Sequence, residues 1–108
     1  MKQIAVQNLR SHCTASQTLL LDVREPWEVD LAAIRLADVP HKNIPLRSVP
    51  ERLDELDRSQ SIVCICHHGV RSLQVVAFLE RQGFEFVYNL AGGIDAWSLA
   101  VDPTVPRY

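Results

Sequence analysis

The sequence predicts an α/β fold, an open and mainly parallel sheet flanked by helices on both faces. Two observations lead there. Short apolar runs of strand length alternate along the chain with segments of helical period, the order that builds parallel sheets with helical crossovers. Two of those runs, Thr18 to Val23 and Ser61 to Ile65, are nearly continuous in apolar residues, as strands buried on both faces are. With 108 residues, 47% of them hydrophobic, the chain is expected to form one domain, 1–108, around a core that needs neither disulfides nor metal.

The elements follow in order. Gln3 to Val6 suits a short edge strand, and Gln7 to Cys13 a first helix. Thr18 to Val23 is a buried strand. Pro26 fits the first turn of a short helix through Val29, where a missing N–H costs nothing. Lys42 to Ile44 is a weak strand before Pro45. Ser48-Val49-Pro50-Glu51 has the spacing of a capping box, so a helix is expected from Ser48 to about Leu56. Ser61 to Ile65 is the central strand. Arg71 to Gln82 is a helix with Leu73, Val76, Ala77 and Leu79 on its apolar side, and Gly83 stops it. Phe86 to Leu90 is a further strand. Gly92-Gly93 leads into a last helix that contains Trp97, and a proline-bearing tail with an exposed character follows.

Composition excludes several classes. The 11 Lys and Arg against 13 Asp and Glu give a net charge of −2. The densest basic stretch, Arg47 to Arg58, is interleaved with Glu51, Asp54, Glu55 and Asp57, which reads as a solvated face and not as a nucleic-acid footprint. No run has the length of a membrane span, and the first residues carry no apolar signal core. A cytoplasmic protein that binds neither nucleic acid nor membrane is the expectation. Three cysteines then read as free thiols.

Function is read from one of them. The run Ser61 to Ile65 passes into Cys66-His67-His68-Gly69-Val70-Arg71-Ser72, and a helix begins at once. Backbone N–H groups converge on such a turn, the helix dipole is positive at that end, and Arg71 adds a positive charge. This setting suits the anionic form of a thiol, which is the nucleophile. In open parallel sheets, ligands sit beyond the carboxyl ends of strands, at a topological switch point. The strand ends concerned carry Asp22-Val23-Arg24 and Cys66.

Four segments together resemble a single-domain rhodanese of the sulfurtransferase family. Leu20-Leu21-Asp22-Val23-Arg24-Glu25, with Glu28 after it, resembles the family's first signature. Asn43-Ile44-Pro45-Leu46 resembles its Asn-Ile-Pro-Leu turn, and Cys66 to Ser72 its active-site loop. Asn89 to Trp97 resembles its closing glycine-pair and tryptophan motif. The resemblance implies a parallel five-stranded sheet. It implies a loop cysteine, Cys66, that takes sulfane sulfur as a persulfide and passes it on. The donor would be thiosulfate or another sulfane-sulfur source, and the acceptor a thiol, cyanide or a protein sulfur carrier. No cofactor is implied. The loop from Cys66 to Arg71 holds six residues, the sulfurtransferase length. Phosphatases and arsenate reductases of this fold use a loop one residue longer, roomy enough for a tetrahedral oxyanion. His67 and His68 stand where thiosulfate-specific members often carry arginine and lysine. Ala32 to Ala37 replaces a segment that is often Gly-His-Ile-Pro-Gly-Ala in the family.

Each residue has a plain reading beside the functional one. Arg71 either braces the loop, meets an anionic donor, or makes a structural ion pair. Gly69 is expected to supply a positive φ or a close backbone approach, Val70 to lend its N–H more than its side chain, and Ser72 either to help cap the helix or to be a plain early-helix serine. His67 and His68 either tune the mouth or meet only water, and Cys-x-Cys-His-His is not a zinc pattern, so no metal site is expected. Asp22 and Arg24 are expected to fix the loop by charge-assisted hydrogen bonds. Cys64 should face the core. Trp27 and Trp97 are expected in the core or pocket wall. The rival readings are a noncatalytic interaction module on the same fold and, less favoured by the short loop, a phosphatase or arsenate reductase.

Overall fold

A computed structural model describes residues 2–108 of the chain. Five strands form one sheet: β1 (Gln3–Ile4), β2 (Thr18–Asp22), β3 (His41–Asn43), β4 (Ser61–Ile65) and β5 (Val87–Leu90). Their order is β1-β5-β4-β2-β3, and every pairing is parallel. Four α-helices connect and cover them: α1 (Leu9–Ala15), α2 (Pro26–Leu31), α3 (Val70–Arg81) and α4 (Gly93–Ala100).

The apolar strands alternate between two cores, one on each side of the sheet. Leu19, Leu21, Ile62, Cys64 and Val87 face Val75, Val76 and Leu79 of α3, with Phe84 and Val49 closing the layer. Leu20, Val63, Ile65 and Leu90 face Leu9 of α1 and Ile94 and Trp97 of α4. Both faces being covered, β2 and β4 are buried along nearly their whole length, which explains their unbroken apolar runs.

Chain direction across the sheet reverses between β2 and β4. From β2 the chain moves outward to β3, then returns to place β4 on the other side and β5 beyond it. That is the switch point at which crossovers part and leave a crevice at the strands' carboxyl ends. Asp22 and Cys66 stand on either side of it.

Several elements differ from expectation. No capping box forms at Ser48. The segment is two 3-10 stretches, Leu46–Ser48 and Pro50–Glu55, with Arg52 outside the helical region at φ −117° and ψ 23°. The Ser48 N–H already donates to Pro45 in a tight turn, so Ser48 is not a free extended cap. The Glu28 carboxylate instead accepts the Glu25 N–H at the start of α2. β1 ends at Ile4, because Ala5 turns the chain into a 3-10 turn at Val6–Asn8. Of the two tryptophans expected in the core or pocket wall, Trp97 is in the core and Trp27, 60% exposed, is at the surface. The tail does not stand free either. The Tyr108 ring lies parallel to His67 at 3.9 Å. No helix among the described residues is long and apolar enough to cross a membrane.

Candidate active site

β4 runs into Cys66, and the chain then turns tightly into α3. Gly69, at φ 94°, is the residue before the helix, and its N–H donates to Cys66 Sγ at 3.1 Å. A side chain at that angle would be strained, and a Cβ would sit 3.1 Å from the Gly92 nitrogen. The glycine thus lets the loop curl back until its own amide faces the sulfur.

Ser72, one turn into α3, does not cap the helix. Its hydroxyl lies 3.2 Å from Cys66 Sγ and 2.5 Å from Asn89 Oδ1. Asn89 Nδ2 donates to the Gly69 carbonyl at 3.1 Å, a group that can only accept, which fixes the amide's orientation. Gln3 Oε1, on β1, takes the second Nδ2 proton at 2.9 Å. With its proton on Asn89, Ser72 accepts from a Cys66 thiol. Turned the other way, it donates to an anionic sulfur. One hydroxyl therefore serves both states of Cys66.

A second element holds the loop from behind. At the N-terminus of α4, the Ile94 N–H donates to the Cys66 carbonyl at 2.9 Å and the Asp95 N–H to the His67 carbonyl at 3.1 Å. This approach needs Gly93, where a Cβ would fall onto both carbonyl oxygens. The glycine pair is thus a seat for the cysteine loop.

Asp22 and Arg24 meet as expected, but not on the loop. Arg24 is fully buried and bonds Asp22 at 2.6 and 2.9 Å. Its other protons go to Ala32 O at 2.7 Å and Glu28 O at 3.3 Å, which fastens the end of α2. Asn43 Nδ2 donates to the carbonyls of Asp22 and Arg24, giving the Asn-Ile-Pro-Leu turn its structural role. Arg71 is the link from loop to α2. It makes a bidentate pair with the buried Glu28 at 2.7 and 2.8 Å. Hydrogen bonding from Arg71 lowers the Glu28 carboxyl to about 2, against the opposing effect of burial.

Tyr108 completes this cluster. Arg24 Nη1 donates to its hydroxyl at 2.8 Å, and the hydroxyl donates to Glu28 Oε1 at 2.9 Å. The tyrosine ring covers His67, whose other face stacks on His68 at 4.0 Å. Burial, and then the neighbouring His68, push His67 below the ordinary histidine range. His68 is exposed and lies 3.9 Å from Asp95, which is itself paired with Arg107 at 2.9 Å. Val70 is exposed beside the loop, and Trp27 presents its edge to Tyr108 at 6.4 Å.

Cys66 itself is only 1% exposed. The double anchoring by Gly69 and α4 draws it under the rim. Cys64 is fully buried, and burial pushes its thiol far up. Cys13 is partly buried and raised by the same effect. Three participants escaped sequence reasoning. Glu28 was noted only as a neighbour of the first signature. Asn89 had a signal, being the polar residue in an apolar strand. Tyr108 had none. A cavity of about 470 Å³ lies at the opposite sheet edge, lined by Ser61 and Tyr88 among others. It lies at the amino end of β4, away from Cys66 and the switch point.

The comparisons agree with this geometry. A sulfurtransferase of Allochromatium vinosum is 38% identical over 80 residues, covering 74% of this chain and 71% of that protein. A chloroplastic rhodanese-like/PpiC domain-containing protein 12 of Arabidopsis thaliana is 37% identical over the full chain, which spans 38% of that protein's length. The crystal structure of a rhodanese-related protein from Thermoplasma volcanium superposes with a TM-score of 0.82 at 30% identity, covering 100% of both chains. The family model described as a rhodanese-like domain matches residues 5–100, and on that extent the chain belongs to the rhodanese-like sulfurtransferase family.

Proposed function

We propose that the chain is a sulfurtransferase that carries sulfane sulfur on Cys66. One observation carries the reading: Cys66 Sγ ends the central strand at the switch point, 3.1 Å from the Gly69 N–H and 3.2 Å from the Ser72 hydroxyl. Both donors favour negative charge at that spot, whether on a thiolate or on a persulfide sulfur. The Cys66 thiolate attacks the outer sulfur of the donor. A new S–S bond forms, the donor's bond to that sulfur breaks, and the electron pair leaves with the remainder of the donor. An acceptor thiolate or cyanide then attacks the same sulfur and returns Cys66 as a thiolate. No net oxidation of the protein occurs. Cys66 is nearly covered, so transfer requires a rim side chain to move aside. Arg71 and Glu28 brace the loop in this scheme, and Asp22 and Arg24 support α2 behind it. His67, His68 and Val70 form the rim.

The test is Cys66→Ser. The swap nearly conserves volume, so the fold should persist, but a hydroxyl forms no persulfide. Transfer from a sulfane-sulfur donor to cyanide, followed as thiocyanate, should fall to background while the circular dichroism spectrum stays unchanged. Full transfer by this variant contradicts Cys66 as the carrier, and no transfer by the wild type with any sulfane-sulfur donor leaves a noncatalytic module on the same fold.

A further inference from the structure

We infer that the sulfur reaches Cys66 as an organic persulfide, R–S–SH, borne on a free thiol or on a protein cysteine, and not on a small dianion such as thiosulfate. The inference rests on the sulfur-transfer reading above. It comes from two features of the rim, its charge balance and its aromatic wall.

The arginines around the loop are already matched. Arg71 has both of its terminal nitrogens on Glu28, Arg24 is locked to Asp22, and Arg107 is paired with Asp95. Asp95 is also the carboxylate nearest to His68. These three arginines and three carboxylates cancel. His67, half-buried and pushed downward by burial, adds little charge near neutrality. Thiosulfate carries its charge on the atoms next to the transferred sulfur, so it needs an uncommitted cation at the mouth. Recruiting Arg71 would strip it from a buried carboxylate, which is costly.

The same rim offers apolar contact. Trp27, Tyr108, His67 and His68 form a continuous aromatic series from α2 to the loop, and Val70 stands exposed beside it. Trp27, at the far end of this series, is 60% exposed, an unusual state for a tryptophan. An organic group attached to the persulfide can lie on this wall while its own charges remain in solvent. The step balances: the Cys66 thiolate attacks the outer sulfur, a new S–S bond forms, the S–S bond of R–S–SH breaks with its electron pair on the inner sulfur, and the persulfide proton ends on R–SH.

The experiment is single-turnover loading of Cys66, read by mass spectrometry of the intact protein. Thiosulfate, glutathione persulfide and persulfidated serum albumin are compared at equal concentration. An aromatic contact and a missing cation together set the expected preference for one or both persulfides at about tenfold or more over thiosulfate. Loading by the glutathione arm assigns a free thiol, and loading by the albumin arm alone assigns a protein source. Trp27→Ala, at an exposed position that does not threaten the fold, should narrow the preference by about tenfold. Thiosulfate loading as fast as either persulfide, or an undiminished preference in Trp27→Ala, overturns the inference and leaves sulfur transfer intact. Failure of all three donors to load Cys66 overturns the sulfur-transfer reading, and this inference falls with it.

Discussion

The Glu28 carboxylate accepts both terminal nitrogens of Arg71, the Tyr108 hydroxyl and the Glu25 N–H. Four donors on one buried acid explain a value of about 2 in place of 4.5. The folded value lies below the unfolded one. The stabilisation is therefore fully present above pH 4.5 and is lost as the pH falls through about 2. Arg71 is one-third exposed, so solvent screens part of the pair. With that discount, Glu28→Gln should be less stable than wild type at neutral pH by about 2 kcal/mol. The gap should close between pH 4.5 and 2, as measured by urea unfolding at stepped pH. A gap that stays constant with pH would mean that Glu28 acts by shape and not by charge. No local pattern marks this pair, because Glu28 and Arg71 are far apart along the chain. Cys66, by contrast, was legible, since strand, turn and helix start are all encoded within ten residues around it.

Among the elements, α4 matters for where its N-terminus points. Gly93 lets that end approach until Ile94 and Asp95 bond the carbonyls of Cys66 and His67. Gly93→Ala should cost at least about 1 kcal/mol from the left-handed backbone alone. It should also displace the loop, and sulfur transfer should drop beyond what the stability loss explains. Gly83→Ala is the control. It has a similar positive φ of 89°, but its Cβ would meet only the Arg58 side chain at 3.8 Å. Unfolding and transfer should be measured for both. Equal loss of transfer in the two variants would refute the seat assigned to Gly93. Element type was mostly readable, because apolar period and length separate buried strands from α3. The exception was Ser48 to Leu56. There the cap spacing was present, but the neighbouring turn at Pro45 had already committed the backbone. A spacing rule cannot see that competition.

At the scale of the whole molecule, five parallel strands with a reversal between β2 and β4 bring Asp22, Cys66 and the start of α4 to one edge. Alternation of strands and helices forecast the sheet and its covered faces. The return of the tail was not forecast, because Tyr108 reaches Glu28 and His67 through contacts that no local period encodes. Cys66 is the proposed carrier of the transferred sulfur. That role is tested most directly by mapping the added mass after one turnover. The protein is loaded with a sulfane-sulfur donor, digested under non-reducing conditions and read by tandem mass spectrometry. One extra sulfur should be found on Cys66, none on buried Cys64 or on Cys13, and it should be released on adding a thiol acceptor. Sulfur on Cys64 or Cys13 in place of Cys66, or a disulfide joining Cys66 to either, would contradict that role.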